Sequence, residues 1–221
     1  MCVLIARVGP RPLLAANRDE AYARPFAAPR RWVAATPFWA PVDEEEGGTW
    51  IGVNGNGLLV AITNRSTLPE ARGRASRGHL VAGALARPDL DAAAEWLERE
   101  LARAARNPCQ LLLVQEDRGR VVRVGEAPVE VRDLEPGVHV LSNLHEPDEV
   151  RFDLPAEPGW EALRPILADP SPRLPRGYAV CKRAGWRGTV ASAFIEPGAR
   201  FLFAGGPPDE TDYETVPGYP G

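Results

Sequence analysis

The sequence predicts an α+β fold built on mainly antiparallel sheets, and three observations carry that expectation. Short apolar, β-compatible runs recur in pairs joined by tight-turn residues, the pattern of hairpin neighbours. The clearest helical period lies mid-chain, between residues 76 and 105, where helices follow a block of strands instead of alternating with each one. A chain of 221 residues is long enough to bury a large core as one unit, so residues 1–221 are expected to form a single domain.

The first hairpin organises the rest. Apolar residues 2–8 and 13–16 flank Gly9, Pro10, Arg11 and Pro12, which are strong turn punctuation. A turn centred near Pro10 sets residue 2 opposite residue 18, and opposed residues of an antiparallel pair share a face. Cys2 is then expected beside Arg18, with Asn17 and Asp19 one step away and Glu20 beyond them. A second residue as small as cysteine normally directs removal of Met1, which leaves Cys2 with a free α-amine. That amine has an ordinary pKa of about 7.7 to 8.0, so it is a base beside a nucleophile. Arg18 is expected to favour the thiolate, and Asp19 to orient the ammonium form. The other reading keeps Met1 in place and makes Cys2 a small apolar residue opening a core strand.

Residues 21–43 are rich in proline, arginine and aromatics and show no period, so a long loop is expected there. Arg24, Arg30, Arg31, Trp32, Phe38 and Trp39 suit either a substrate mouth or the anchoring of that loop on the body of the protein. The acidic run 44–46 has no histidine near it and is read as a solvated turn. Strands are expected over 49–53 and 58–64, around Asn54, Gly55, Asn56 and Gly57, whose Asn-Gly steps suit a tight turn. The glycines lack the strand-to-helix transition and lysine of a phosphate loop. Asn64 ends the second of these strands, where its amide either lines a pocket or caps a turn.

Two helices come next. Ser76 is read as the cap of the first, which Pro88 terminates, and Asp89 or Asp91 as the cap of the second. In the second helix Leu90, Ala93, Ala94, Leu97, Leu101 and Ala105 recur at helical spacing, so the pair is expected to cover one sheet. His79 is read as structural or superficial. A second sheet is expected to gather residues 109–116, 121–124 and 138–143. A short helix follows over 160–168, then strands over 190–195 and 200–203 that complete a sheet. Residues 205–221 are read as a tail or a surface strap.

Several of these segments share a family likeness. Met1-Cys2 with its apolar strand, Leu14-Ala15-Ala16-Asn17-Arg18-Asp19-Glu20, Gly47-Gly48-Thr49-Trp50-Ile51-Gly52-Val53, Ala61-Ile62-Thr63-Asn64-Arg65, Ser76-Arg77-Gly78 and Leu141-Ser142-Asn143 resemble the Asn-Arg-Asp-Glu family, also called the transport and Golgi organisation family. The resemblance covers the first two thirds of the chain. It implies an N-terminal nucleophile hydrolase fold, a four-layer αββα sandwich similar to conjugated bile acid hydrolases and penicillin V acylases. It implies catalytic roles for Cys2, Arg18, Asp19 and Asn143, the last as an oxyanion donor where local sequence alone equally allows a turn before Leu144-His145-Glu146-Pro147, and a substrate-facing position for Asn17, Glu20, Trp50 and Asn64. Arg187 matches a family arginine more loosely, because Gly188 and Thr189 replace the pair of serines that follows it and Arg183 competes for the place.

The activity implied is cleavage of a carbon-nitrogen amide bond in a small amphipathic substrate through an acyl-enzyme, with no metal or organic cofactor. The alternative is a non-catalytic binding or trafficking protein for haem, acyl-CoA or a related lipid-like ligand. A formal net charge of −4 argues against a nucleic-acid partner. No apolar run is long enough to span a bilayer and the first residues lack the pattern of a signal peptide, so a cytoplasmic protein is expected. Oligomeric state has no signature in the sequence. Cys109 is read as an inert strand residue; Cys181 has no evident role, and no CxxC pair suggests metal or redox chemistry.

Overall fold

In the computed structural model, which describes residues 2–220 apart from 126–127, 173 and 175–176, the chain forms two seven-stranded sheets stacked face to face. The first hairpin is as its turn residues predict. β1 (Val3–Val8) pairs with β2 (Leu13–Ala21) so that Val3 faces Asn17 and Leu4 faces Ala16, and one more step along this register sets Cys2 against Arg18.

The segment expected as a long loop is instead a hairpin, β3 (Phe26–Trp32) and β4 (Phe38–Asp43). Its alternation is hidden by a register shift between Ala27 and Arg30, and Pro29 is tolerated because β3 is an edge strand with no neighbour on one side. Trp32 stacks on Phe38 with ring centroids 5.2 Å apart, and Trp39 is buried between the sheets. These aromatics therefore anchor the hairpin, and of the six residues considered for a mouth only Arg24 reaches the cavity described below.

β5 (Ile51–Asn54) and β6 (Leu59–Asn64) follow, joined by a turn in which Gly57 takes a φ of +81°. α1 (Gly78–Leu85) and α2 (Leu90–Arg103) then pack on this sheet. Asp89 caps α2 by accepting from the Ala92 N–H at 2.9 Å. α1 differs from expectation: Arg77, not Ser76, holds the N-cap position, and no side chain caps the helix. The sheet ends in β7 (Cys109–Gln115), β8 (Arg118–Val124) and β9 (Glu130–Leu134), so β3 to β9 form one meander in chain order.

Residues 138–143 do not join that sheet. β10 (Gly137–Ser142) crosses to the other one and pairs with β1, Val3 facing Ser142. β9, which has no strong sequence signal, already occupies the edge that β10 was expected to take. After α3 (Trp160–Leu167), the short β11 (Arg183–Ala184), β12 (Arg187–Glu196), β13 (Arg200–Ala204) and β14 (Glu214–Thr215) finish the first sheet in the order β10-β1-β2-β12-β13-β14, with β11 on β12.

Alternation sorts the side chains into three apolar layers. Leu4, Leu14, Ile51, Leu59, Leu112 and Ile195 meet between the sheets; Val60, Leu80, Leu97 and Leu113 meet beneath α1 and α2; Ile5, Leu13, Leu163, Leu167 and Phe194 meet beneath α3. The result is an αββα sandwich. Residues 205–220 form a strap. Val216 enters the inter-sheet layer, Tyr219 sets its ring edge-on to Trp39 and Phe201, and the Trp39 indole donates to the Gly218 carbonyl at 3.1 Å.

Candidate functional site

The site lies where β1, β2 and β12 run side by side. Cys2 is part-buried, and its Sγ accepts from the Asp19 N–H at 3.4 Å. Burial pushes the thiol above its ordinary pKa, and the neighbouring Asp19 carboxylate pushes it further in the same direction. The expected thiolate is therefore not the resting form. Arg18 sits opposite, but its guanidinium is committed elsewhere: Nη2 donates to Asp43 Oδ2 at 2.8 Å, and the group lies 4.2 Å from the Trp50 ring centroid.

Asp43 is the hub of this guanidinium cluster. It accepts from Arg18, from Arg24 Nε at 2.8 Å and from the Glu45 and Glu46 N–H groups at 3.2 Å. Partial burial opposes its ionisation, but Arg24 and Arg18 together hold it below the usual carboxylate range. Burial lowers the pKa of Arg18 without discharging it, and its Nη1 has no protein partner among the described residues.

Asp19 is the opposite case. Burial raises its pKa, and the Thr189 hydroxyl offsets part of that rise by donating to Oδ1 at 2.6 Å. Thr189 itself accepts from the Lys182 N–H at 2.8 Å, which fixes the direction of its proton. The two side chains meet because β12 pairs with β2 in a register that faces Thr189 with Asp19, just before a shift at Ala191. Thr189 was visible in the sequence only as a departure from a serine pair.

A cavity of about 210 Å³ opens at this point and gathers Cys2, Arg18, Asp19, Glu20, Trp50 and Asn64, six of the nine expected residues. Glu20 accepts from its own neighbour, the Ala21 N–H. The cavity adds Arg24, Asp43, Arg74 and Arg77, and apart from Trp50, Ile62 and a few small residues its wall is polar or charged.

Three expected residues stand outside it. Asn17 is a correction: β2 alternation turns it toward α3, where Nδ2 donates to the Leu167 and Val180 carbonyls and Oδ1 accepts from Ser192. It is a buried structural amide. Asn143 follows β10 and comes level with Cys2 if the β1 register is extended by one step, but its amide donates to Ser66 Oγ at 2.9 Å, and its buried Oδ1 has no partner among the described residues. Arg187 opens β12 against Ala21 and lies over the Trp186 ring at 5.4 Å, away from the cavity. Removal of Met1 concerns a residue outside those described.

Cys109 is buried with its thiol pushed up to about 12, as befits an inert strand residue. Cys181 is buried as well and donates to Asp209 Oδ1 at 3.1 Å. His79 is exposed and bonds the Glu46 carbonyl at 2.8 Å.

The model of the family Transport and Golgi organisation 2 matches residues 1–157, more than half of the chain. The chain belongs to that family. The Transport and Golgi organization protein 2 homolog of Bos taurus is 39% identical over 93 residues, 37% of this chain and 34% of that protein. The Transport and Golgi organization protein 2 of Drosophila melanogaster is 33% identical over 102 residues, 40% of this chain and 36% of that protein. The chain thus spans about a third of the length of these Transport and Golgi organisation 2 relatives.

Solved structures agree on the fold. The R18L variant of conjugated bile acid hydrolase from Clostridium perfringens superposes with a TM-score of 0.57 at 11% identity, covering 97% of this chain and 96% of that one. A Caenorhabditis elegans orthologue of N-acylethanolamine-hydrolyzing acid amidase gives 0.54 at 12% identity, covering 89% and 93%. The Transport and Golgi organisation 2 chain therefore has the N-terminal nucleophile hydrolase fold. No helix among the described residues is long and apolar enough to cross a membrane.

Proposed function

We propose that the protein is a cysteine N-terminal nucleophile hydrolase that cleaves a carbon-nitrogen amide bond in a small substrate. The observation that carries this reading is that Cys2, Arg18 and Asp19 line one small cavity. The names of the C2A and R18L variants of the bile acid hydrolase show that the unsubstituted hydrolase has a cysteine at its position 2 and an arginine at its position 18, the residue types that stand here at Cys2 and Arg18.

Once Met1 is removed, the free amine of Cys2 takes the thiol proton, which the buried thiol otherwise retains. The thiolate attacks the amide carbonyl carbon. Arg18 Nη1, a donor with no protein partner among the described residues, is available to the resulting oxyanion. Asp19, oriented by Thr189, holds the ammonium. The ammonium proton then passes to the leaving nitrogen, the carbon-nitrogen bond breaks, and an amine departs from a thioester. Water, deprotonated by the same amine, attacks the thioester and restores the thiol, releasing a carboxylic acid. A half-turn of the Asn143 amide places Nδ2 where Oδ1, without a partner among the described residues, now lies, and offers a second donor level with Cys2 on the neighbouring strand, although Asn143 stands outside the cavity. Arg187 acts only through the field it adds, since it stands outside the cavity. The reaction as written uses no metal or organic cofactor.

The raised pKa of Cys2 favours a second reading, a protein that binds a ligand without turning it over. The cavity is small and largely polar, which suits a compact polar ligand better than haem or an acyl chain. Intact mass of protein purified from its host, combined with assays of N-acyl amides, separates the two readings. Hydrolysis is expected only from chains that begin at Cys2, with a covalent acyl adduct that disappears in Cys2→Ala. A fully processed chain that neither acylates nor hydrolyses leaves the binding reading in place.

A further inference from the structure

β10 begins the strand order of the first sheet, so one of its edges has no strand beside it. Residues 146–156 return along that edge, and Asp148 is their point of attachment. Its N–H donates to the Val140 carbonyl at 2.9 Å, and its Oδ1 accepts from the Val140 N–H at 2.9 Å. Asp148 holds this place with a φ of +65°, a left-handed conformation that aspartate tolerates better than most residues but still at a cost. Strand and segment together enclose a cavity of about 510 Å³, lined by Val138 and Val140 on one side and by Val150, Phe152 and Leu154 on the other.

His139 is the other half of the attachment. Its Nδ1 lies 3.0 Å from Asp148 Oδ2 and its Nε2 2.8 Å from the Glu135 carbonyl oxygen. An ionised carboxylate and a carbonyl only accept, and a neutral imidazole carries one N–H, so both bonds form at once only when the ring holds two protons. The bond to Asp148 raises the pKa of His139 against burial and Arg132, which lower it. Burial opposes ionisation of Asp148, but His139, the Val140 N–H and Arg132 hold it below the usual carboxylate range. Arg132 comes from β9 in the other sheet, with Nη2 3.6 Å from Asp148 Oδ2. Arg151 lines the same cavity from the segment itself, Glu149 accepts from the Glu146 N–H, and β1 sets the neutral Ala6 opposite His139.

We propose that His139 and Asp148 form a latch that keeps residues 146–156 on the free edge of β10 only while the ring carries both protons, and that loss of one proton releases the segment and opens the cavity it encloses. The latch needs neither Cys2 nor turnover, so it stands or falls apart from the hydrolase reading. The raised pKa of His139 gives a stabilisation that is complete below the ordinary histidine value of about 6.5 and is lost as pH rises through the raised one. The lowered pKa of Asp148 gives one that is complete above the ordinary aspartate value of about 3.9 and is lost as pH falls through the lowered one. The segment is therefore held fast between about pH 4 and 6.5 and loosens above that window as His139 discharges.

The test is NMR titration and amide hydrogen exchange of the full chain from about pH 5.5 to 8.5, read as protection factors so that the intrinsic dependence of exchange on pH is removed. The His139 ring nitrogens are expected to titrate above the midpoint of histidine in the urea-unfolded chain. Protection of the Val140 and Asp148 amides is expected to fall at least about tenfold across the range, as loss of one charge-assisted hydrogen bond gives, while the amides of β6 and β7 stay protected. Asp148→Asn keeps a side chain that tolerates the left-handed φ and removes the charge, so the His139 midpoint is expected to drop and the fall in protection to shrink below about twofold. His139→Gln is expected to abolish the dependence on pH. A His139 midpoint at or below the unfolded value, protection that is flat with pH in the native chain, or a fall that survives Asp148→Asn overturns the proposal. Because asparagine is nearly isosteric with aspartate, the Asp148→Asn result decides the matter even if His139→Gln does not fold.

Discussion

Thr189 opposes part of what burial does to Asp19, since its hydroxyl donates to the desolvated carboxylate and orients it while the pKa stays raised. Thr189→Val preserves shape and removes the donor, so the Asp19 pKa is expected to rise further. A buried acceptor stripped of its donor costs about 1 to 3 kcal/mol, and a tenfold to hundredfold fall in kcat with little change in KM is expected in an N-acyl amide assay. Thr189→Ser restores most of the rate. Thiol chemistry gives a second prediction. Cys109 and Cys181 are buried with pKa values of about 12, while Cys2 is part-exposed. Iodoacetamide on the folded protein is expected to label Cys2 alone, at a rate that climbs with pH into the alkaline range because the thiol gains its charge only above the ordinary value. Labelling of Cys2→Ala under the same conditions, followed by peptide mapping, checks the assignment. Cys2, Arg18 and Asp19 were legible because a hairpin register is a local property. Thr189 was not, since its partner lies 170 residues away in the chain and nothing local to it records the pairing.

At the scale of elements, Asn17 shows how alternation overrules a motif. It lies within a run of residues that otherwise face the cavity, yet its position on β2 sends the amide to the end of α3 and to the segment after it. Ser192 and Tyr213 extend the chain of bonds, with Tyr213 donating to Ser192 at 2.5 Å and Ser192 to Asn17 at 2.6 Å. Asn17→Ala strands two carbonyls and a hydroxyl, so a loss of about 2 to 4 kcal/mol is expected in urea unfolding. The residual folded protein is expected to keep the KM of the proposed hydrolysis, which a substrate contact would not allow. The elements that sequence reading misplaced share a cause. The β3 and β4 hairpin hides behind a register shift and an edge proline, and β10 leaves its chain neighbours for β1 because β9 has filled the edge. Local pattern identifies a strand more readily than it chooses the sheet.

Across the whole molecule, the strap closes one end of the sandwich. Tyr219 touches Trp39 from β4 and Phe201 from β13, so it joins the two sheets through side chains alone, and its hydroxyl accepts from the Gly198 N–H at 3.1 Å. Tyr219→Ala is expected to cost about 2 kcal/mol, a large share of a typical margin of about 5 to 15, and to shift Trp39 fluorescence to the red. A substitution that leaves both unchanged shows the strap to be a passenger. The first sheet also imposes an order of events on synthesis. β1 and β2 emerge first, but their outer partners are β10 and β12, and the strand carrying Thr189 is translated after residue 186. At about 5 to 20 residues per second, the first hairpin waits roughly 10 to 40 seconds before both of these flanking strands can pair with it. On the proposed reading of Cys2 as a nucleophile, its partners Asp19 and Thr189 meet only when β12 has paired with β2, so hydrolysis is expected to appear only in chains translated past that strand.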